Sequence, residues 1–235
     1  MKVFIVHAHP EPQSFNAALT HYAQEILEAN GNEVKISDLY QMQFNPVTGR
    51  HSFTEQSNPL FFKQQREEIH ASEINGFAPD ILAEIEKLEW CDLLIFQFPI
   101  SWFSIPAILK GWVERVFVTG RIYGLSKIYD NGAFRGKKAM LSLTTGSPEY
   151  TYTENGVNGN IDTILFPIHH GIFHFVGFDV LPPFIAYSAA HIGDEGRKAY
   201  LEAYKQQLLT INETSAITYP SLTAYDENFQ LKADK

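Results

Sequence analysis

"LLIFQFPISWFSIPAILKGWVERV", residues 93–116, is an apolar run followed by a loop rich in proline and aromatic residues and then by a stretch of helical length. A continuous apolar run of this kind predicts a strand that is buried on both faces of a parallel sheet. We therefore expect a strand over 93–98, a loop at its carboxyl end and a helix over 105–118. Trp102 and Phe103 lie in this loop, where large apolar side chains need a contact that the loop itself does not supply.

The same alternation of strand and helix extends in both directions along the chain. "VFIVHA" (3–8) predicts a first strand, and the helix that follows is expected to begin at the N-cap Ser14 and to end at Gly31. The remaining predicted elements are a strand over 33–40, a helix over 79–92, a strand over 137–145, a helix near 160–175, a strand near 178–187 and a helix near 194–211. This order predicts an α/β fold with a doubly wound five-stranded parallel sheet and helices on both faces.

Two regions interrupt the alternation. Residues 41–78 are rich in Asn, Gln, Pro and Ser, and the segment after Asn212 is polar. Long structureless connections are usually functional or cover a partner, so we expect both regions to have such a role. The predicted organisation is one α/β domain over 1–211, with 41–78 as an excursion, and a polar tail over 212–235 that is expected at a subunit interface.

Composition narrows the class of partner. The chain has 18 basic and 27 acidic residues and a net charge of −9, which disfavours nucleic acid and anionic membranes as partners. Cys91 is the only cysteine and is expected to be a buried apolar thiol. The short apolar run at the N-terminus and the lack of a stretch of roughly 20 apolar residues predict a cytoplasmic protein without a membrane span.

Three unusual loops follow the carboxyl ends of predicted strands, where open parallel sheets bind their ligands. The loop over 7–16 combines a helix N-terminus with His9, which suits a phosphate. The loop over 99–106 offers aromatic faces, and the loop over 144–160 offers hydroxyls and tyrosines. A ligand with a charged tail and a planar heteroaromatic head fits this combination, so the sequence favours a flavin.

Motifs for other chemistries are incomplete. The sequence has neither the G-x-G-x-x-G pattern of dinucleotide-binding domains nor the G-x-S-x-G pattern of hydrolases. "GAFRGKK" (132–138) is one residue short of a phosphate-binding P-loop and precedes a predicted strand, whereas a P-loop follows one. Neither a P-loop enzyme nor a serine hydrolase is therefore indicated.

Longer stretches carry a family resemblance over about residues 3–230. They are "SFN" (14–16), "SDLY" (37–40), "PDILAEIEKLE" (79–89), "DLLIFQFPISWFSIPAILKGWVERVF" (92–117), "YDNGAFRGKKAMLSLTTG" (129–146) and "GIFHFVGFDVL" (171–181). In this order and spacing they resemble the NAD(P)H:quinone oxidoreductase (DT-diaphorase) family of flavodoxin-like flavoproteins, in its short-chain form. The resemblance implies a homodimer with FAD at the subunit interface and a ping-pong, two-electron reduction of quinones by a reduced nicotinamide donor.

The resemblance also implies roles for individual residues. Those expected at the FAD phosphates are His9, Phe15, Asn16 and Arg197. Those expected along the flavin ring are Pro99, Ile100, Ser101, Trp102 and Phe103, with Thr144, Thr145, Gly146 and Tyr152 at its polar edge. Those expected at the quinone are Trp102 and Phe103 of one subunit with Tyr123 and Phe175 of the other. The catalytic candidates are Tyr152, Asn158 and Trp102.

Several positions depart from the family pattern. Asn158 stands where the family has a histidine thought to stabilise the reduced flavin, and an amide donates a hydrogen bond but does not take up a full proton at neutral pH. Leu125 replaces a second pocket aromatic. The sequence ends at Lys235, before an extension that longer members use to bind the nicotinamide, so NADH, NADPH and reduced nicotinamide riboside all stay open as donors.

Two alternatives to quinone reduction stay open as well. Related flavodoxin-like proteins serve as regulatory subunits of potassium-efflux systems, and others reduce azo or nitro compounds. His170 and His174 are four residues apart, a spacing that can bind a metal, and some short family members hold a zinc there together with a cysteine. The chain has no cysteine near its C-terminus. We therefore expect no metal and two packed or surface histidines.

Overall fold

The computed structural model describes residues 1–232, and their centre is a parallel sheet. The strands are β1 Lys2–His7, β2 Glu33–Asp38, β3 Leu93–Pro99, β4 Lys138–Thr144, β5 Asp179–Val180 and β6 Phe184–Ala186. Their order is β2-β1-β3-β4-β5, and β6 also pairs with β4. All of these pairs are parallel. The predicted doubly wound architecture is confirmed.

Helices cover both faces of the sheet. They are α1 Phe15–Ala29, α2 Gln64–Ile74, α3 Pro79–Trp90, α4 Ala107–Val116, α5 Ile161–Ile168 and α6 Gly193–Leu209. Side chains alternate along β1, so Val3 and Ile5 pack on the side of α1 and α6, whereas Phe4 and Val6 pack on the side of α3 and α4. Because both faces are buried, the central strands β1, β3 and β4 are mostly apolar.

Helix α1 begins and ends as the sequence predicts. The Ser14 hydroxyl accepts a hydrogen bond of 3.1 Å from the Ala17 N–H, which satisfies one of the free amides at the helix start. Gly31 follows the last turn with a φ of 76°, a left-handed conformation that glycine adopts without steric cost. These local signals fix the two ends of the helix.

The expectation of a structureless excursion is wrong for part of residues 41–78, because 64–74 form α2. The sequence of α2, "QQREEIHASEI", lacks the periodic apolar pattern that predicts a helix, because the side chains that the helix buries include two carboxylates. Glu67 accepts hydrogen bonds from the N–H groups of Ser57 and Asn58, and Glu68 accepts one of 2.8 Å from Thr119 N–H. Buried carboxylates are tolerated where backbone donors satisfy them.

The last predicted strand, near 178–187, is divided into β5 and β6. Pro182 and Pro183 separate the two pieces, and proline has no N–H to donate to a neighbouring strand. The helix predicted near 160–175 also changes form. Helix α5 contains Pro167 and ends at Ile168, and a wider π-helical turn then runs over His169–Phe173.

The tail lies along the sheet edge near β5. The Ile217 N–H donates a 2.7 Å hydrogen bond to the Val180 carbonyl, and the Leu222 N–H is bound by the Asp130 carboxylate. The end of the predicted tail, residues 233–235, lies outside the described residues. Across 1–232, every helix is too short or too polar to cross a membrane.

Candidate functional site

A cavity of about 650 Å³ opens at the carboxyl ends of the central strands. It is lined by His9, Gln13, Ser14, Phe15, Asn16, Ala18, Pro99, Ile100, Thr144, Thr145, Gly146, Ala189, Ala190 and Arg197. Nine of these are residues that the sequence resemblance assigns to the cofactor. The fold therefore brings together segments that are far apart in the chain, at the position where parallel sheets bind ligands.

One end of the cavity is suited to an anion. Helix α1 begins there, and the His9 Nδ1 accepts a 3.0 Å hydrogen bond from the Glu11 N–H. The same nitrogen lies 3.2 Å from the Glu11 carbonyl oxygen, so both contacts with Glu11 use Nδ1 and neither uses Nε2. Arg197 also lines this cavity, and its guanidinium donates 2.6 Å to Asp194, whose pKa it lowers. Helix N-termini and guanidinium groups both favour phosphate oxygens.

The centre of the cavity is built on buried polar side chains. Asn16 donates a 2.8 Å hydrogen bond to the Thr144 hydroxyl, and Gln97 donates one of 2.9 Å to the Asn16 carbonyl oxygen. Behind them, Thr20 and His7 Nδ1 lie 2.8 Å apart. Gln97, Thr20 and His7 were missed by the sequence reasoning, although a glutamine inside the apolar run of β3 is a signal that could have found the first of them.

Trp102 and Phe103 form the tip of a tight turn after β3. Ser101 and Ser104 exchange two backbone hydrogen bonds of 2.9 Å, and the two aromatic residues between them have φ angles of 48° and 59°. Left-handed conformations of residues with side chains cost roughly 1–2 kcal/mol each. The turn holds the Trp102 side chain 96% exposed and that of Phe103 51% exposed. Neither they nor Ser101 are among the lining residues of the cavity, while Ile100 is.

The loop over 144–160 contributes its first residues to the cavity. A Cβ added to Gly146 would meet nothing within 4 Å, so the backbone leaves open space at this edge. Tyr152 is buried, with its ring 5.9 Å from that of Tyr187, and burial raises the pKa of Tyr187 to about 12. Asn158 is bound to Thr151, whose hydroxyl accepts from its amide at 2.9 Å. The structure thus places Tyr152 and Asn158 outside the cavity lining.

Tyr123 and Phe175 lie at a different place in this chain. Their rings meet edge to face at 5.7 Å and line a second cavity of about 210 Å³. The lining of this cavity includes no residue of the first. Leu125, two residues from Tyr123, is fully exposed. A single chain therefore does not bring these aromatics together with the first cavity.

His170 and His174 pack with aromatic rings. His170 stacks on Phe166 at 4.8 Å, and the His174 ring lies 4.6 Å from that of Tyr219 in the tail. Burial lowers the pKa of both histidines. Within residues 1–232, no group of three or more His, Cys, Asp or Glu side chains is arranged to hold a metal ion. Cys91 is buried as expected, and burial raises its pKa to about 12.

Comparison with protein families gives one match that spans most of the chain. The family described as having a flavodoxin-like fold matches residues 1–209. This range covers the whole sheet and ends with the last residue of α6. The tail after this helix lies outside the match.

Individual proteins are also similar over nearly the whole chain. NAD(P)H dehydrogenase [quinone] 1 of Rattus norvegicus is 44% identical over 230 residues, which are 97% of this chain and 84% of the relative. Ribosyldihydronicotinamide dehydrogenase [quinone] of Homo sapiens is 43% identical over 211 residues, 89% of this chain and 91% of the relative. The crystal structure of a putative quinone reductase from Klebsiella pneumoniae superposes with a TM-score of 0.94 at 36% identity, covering 99% of this chain and 94% of that one.

Proposed function

This chain belongs to the flavodoxin-like family that includes the NAD(P)H dehydrogenase [quinone] proteins, and from this premise we propose that it is a flavin-dependent quinone reductase. In the proposed reaction, a reduced nicotinamide donor gives up a hydride, which carries two electrons and one proton. The quinone takes these together with a second proton from solvent and becomes a hydroquinone. The observation that carries the proposal is the cavity at the carboxyl ends of the strands, which joins an anion-binding end to an open, hydroxyl-lined edge. The two substrates bind in turn, in a ping-pong sequence.

The residues of the cavity fit a flavin, and we propose FAD as the form bound. The α1 N-terminus, His9 and Arg197 suit the phosphates, and the open space beside Gly146 allows a flat ring to approach the backbone. Thr144 and Thr145 add hydroxyls at the same edge. When bound, flavin supplies the capacity to accept and donate a hydride. The protein supplies binding, orientation and electrostatics.

The proposal also assigns roles to Trp102 and Phe103 at the quinone and to Tyr152 and Asn158 near the cofactor. The turn after β3 presents Trp102 and Phe103 as flat faces for a quinone, and stacking on such faces would exclude water from the acceptor. Tyr152 and Asn158 are proposed to act on charge near the cofactor. Asn158 donates one amide hydrogen to Thr151, and its second N–H and its carbonyl oxygen are left for other contacts.

We propose that the active species is a homodimer. Trp102, Leu60 and Leu125 are each more than nine-tenths exposed, which is unusual for large apolar side chains without a partner. Tyr123 and Phe175, which are expected at the quinone, do not line the flavin cavity of their own chain. A second copy of the chain would cover the exposed apolar side chains, and its own Tyr123 and Phe175 would complete the quinone pocket. A cytoplasmic location stays a prediction.

The proposal is tested with the purified protein. We expect it to be yellow, to release FAD rather than FMN when it is denatured by heat, and to reduce 1,4-benzoquinone with NADH, NADPH or reduced nicotinamide riboside. Arg197→Ala should weaken FAD binding, with the exposed Arg135→Ala as the matched control. Release of FMN alone would contradict FAD. A protein that holds flavin but transfers no electrons from any donor would refute the enzyme and favour the regulatory alternative.

A further inference from the structure

We propose that Gln97 is a positioning residue: it fixes the direction of the Asn16 side chain and, through it, aims the Thr144 hydroxyl into the flavin cavity. This inference rests on the proposed function. Gln97 belongs to β3 and lies behind the cavity lining. It is completely buried in the run "LLIFQF", where an apolar side chain of similar size would be the simpler choice for folding.

The two hydrogen bonds of Asn16 have opposite polarity. Its carbonyl oxygen accepts from the Gln97 amide at 2.9 Å, and its own amide donates to the Thr144 hydroxyl at 2.8 Å. Gln97 offers an N–H to this oxygen only when its own amide is turned toward Asn16, so Asn16 exchanges its oxygen and nitrogen only if Gln97 reverses as well. The orientation of Asn16 is therefore set by a residue that does not line the cavity.

The backbone of Asn16 is held as well. The Thr20 hydroxyl donates to the Asn16 carbonyl at 3.2 Å, one turn along α1, and lies 2.8 Å from His7 Nδ1. The Thr20 hydroxyl therefore links the backbone of Asn16 to the ring of His7. Asn16 is thus held from two strands: Thr20 links its backbone to His7 of β1, and Gln97 of β3 binds its side chain.

The consequence appears at Thr144. Its hydroxyl oxygen already accepts from Asn16, so its own hydrogen is left to donate, and Thr144 lines the cavity. A reversed Asn16 would instead accept this hydrogen and remove the donor. The chain Gln97–Asn16–Thr144 therefore presents the cavity with a donor, which matches the carbonyl oxygens and ring nitrogens of a flavin.

The other end of Gln97 is also polar. Its Oε1 is buried and has no hydrogen-bond partner among residues 1–232. Ser142 is the register partner of Gln97 on β4, so the two side chains lie on one face of the sheet, and Tyr204 of α6 lies beside Ser142. The Gln97 oxygen therefore lies on the side of the Ser142 and Tyr204 hydroxyls, while its amide N–H is turned toward Asn16.

A double-mutant cycle tests the inference. The variants are Gln97→Leu, Asn16→Ala and the double variant, and the readout is the dissociation constant of FAD added to apoprotein, followed by flavin fluorescence. We expect Gln97→Leu to weaken FAD binding about fivefold to tenfold, the usual worth of one hydrogen bond. In the Asn16→Ala background the same change should have no further effect, because the residue acts through Asn16.

Ser37→Ala is the control, since Ser37 is a buried hydroxyl of β2 that donates to Glu84 outside the cavity lining. It should lower stability without changing FAD affinity. If circular dichroism shows that Gln97→Leu does not fold, Gln97→Met takes its place in the cycle. Wild-type FAD affinity in the Gln97 variant, or equal losses in both backgrounds, would overturn the inference alone. Failure of the wild-type protein to bind any flavin would overturn the proposed function with it.

Discussion

At the residue scale, the strained pair Trp102–Phe103 is the feature that most needs a function. Both residues have a positive φ, and both expose large apolar surfaces. Folding gains little from either property, because the strain costs energy and exposed rings contribute no burial. Backbone strain of this kind persists where the surrounding structure enforces it, and such places are often ligand-binding sites. In the proposed dimer, a quinone that stacks against these rings would bury the apolar surface that the turn exposes.

Replacing Trp102 separates the ring from the backbone strain. We expect Trp102→Ala to lower kcat/KM for the quinone about twofold to tenfold, the range of one lost aromatic contact. Trp102→Gly should lose the same activity but be more stable than Trp102→Ala by about 1 kcal/mol, because glycine adopts this φ without strain. Stopped-flow measurements of the two half-reactions and urea unfolding report these effects.

Tyr40→Ala is the control for loss of a surface aromatic, since Tyr40 is exposed and lies outside the tail and the cavity lining, and it should leave quinone kinetics unchanged. Unchanged oxidation of the enzyme by quinone in both Trp102 variants would refute the proposed wall. Equal stability of the alanine and glycine variants would show that the turn is not strained at this position.

Buried histidines make stability dependent on pH. Burial lowers the pKa of His7 and of His169 to about 4, against 6.5 for an exposed histidine. As the pH falls below 6.5, these histidines are protonated in the unfolded chain, whereas in the folded protein they stay neutral until about pH 4. The free energy of unfolding is therefore highest above pH 6.5 and declines between pH 6.5 and pH 4. Each histidine contributes roughly 3 kcal/mol to this decline.

We therefore expect His7→Leu to reduce the loss of unfolding free energy between pH 6.5 and pH 4 by about 3 kcal/mol. Urea unfolding at a series of pH values measures this loss. His169→Leu should give a decrease of similar size, since burial has the same effect there. A His7→Leu protein with the wild-type pH dependence would contradict the assignment.

At the element scale, the excursion is held against α4 by close backbone packing and buried charge. Arg115 of α4 donates 2.7 Å to the Asn45 carbonyl, and Gly111 of the same helix faces Pro46. A Cβ added to Gly111 would lie 2.3 Å from the Pro46 carbonyl oxygen and from its Cβ. The glycine is thus required by the approach of residues 45–46 to the helix.

Gly111→Ala tests this contact against helix propensity. Alanine normally stabilises a helix by about 1 kcal/mol relative to glycine, yet here we expect a net loss of several kcal/mol, because backbone atoms must move to relieve the overlap. The exposed Lys110→Ala on the same helix should have an effect below about 0.5 kcal/mol and is the control. A Gly111→Ala protein at least as stable as the wild type in urea would show that the excursion does not approach α4 this closely.

At the scale of the whole molecule, assembly is the main prediction. Light scattering should give about twice the chain mass of 26.7 kDa at assay concentration. On dilution, the fraction of dimer and the specific activity should fall together, since the proposed quinone pocket uses residues of both chains. A monomer with full activity would contradict the shared pocket and return Tyr123 and Phe175 to a structural role.

The local sequence determined much of this protein. Apolar runs and cap residues predicted β1, α1, β3 and α4, because strand burial and helix capping depend on neighbours in the chain. The family resemblance named nine of the fourteen residues around the cavity. The loop after β3 was expected to carry aromatics at the carboxyl end of the sheet, and the structure shows how the turn presents them.

Only the tertiary structure decided the rest. Helix α2 is kept in place by carboxylates that accept from distant backbone amides, and no periodic apolar pattern announces it. Gln97, Asn16 and Thr144 meet from β3, α1 and β4, and the orientation of each depends on the polarity of the others. The physical reason is that buried polar groups are satisfied by partners that folding brings together, and the identity of those partners is not written in the spacing of neighbouring residues.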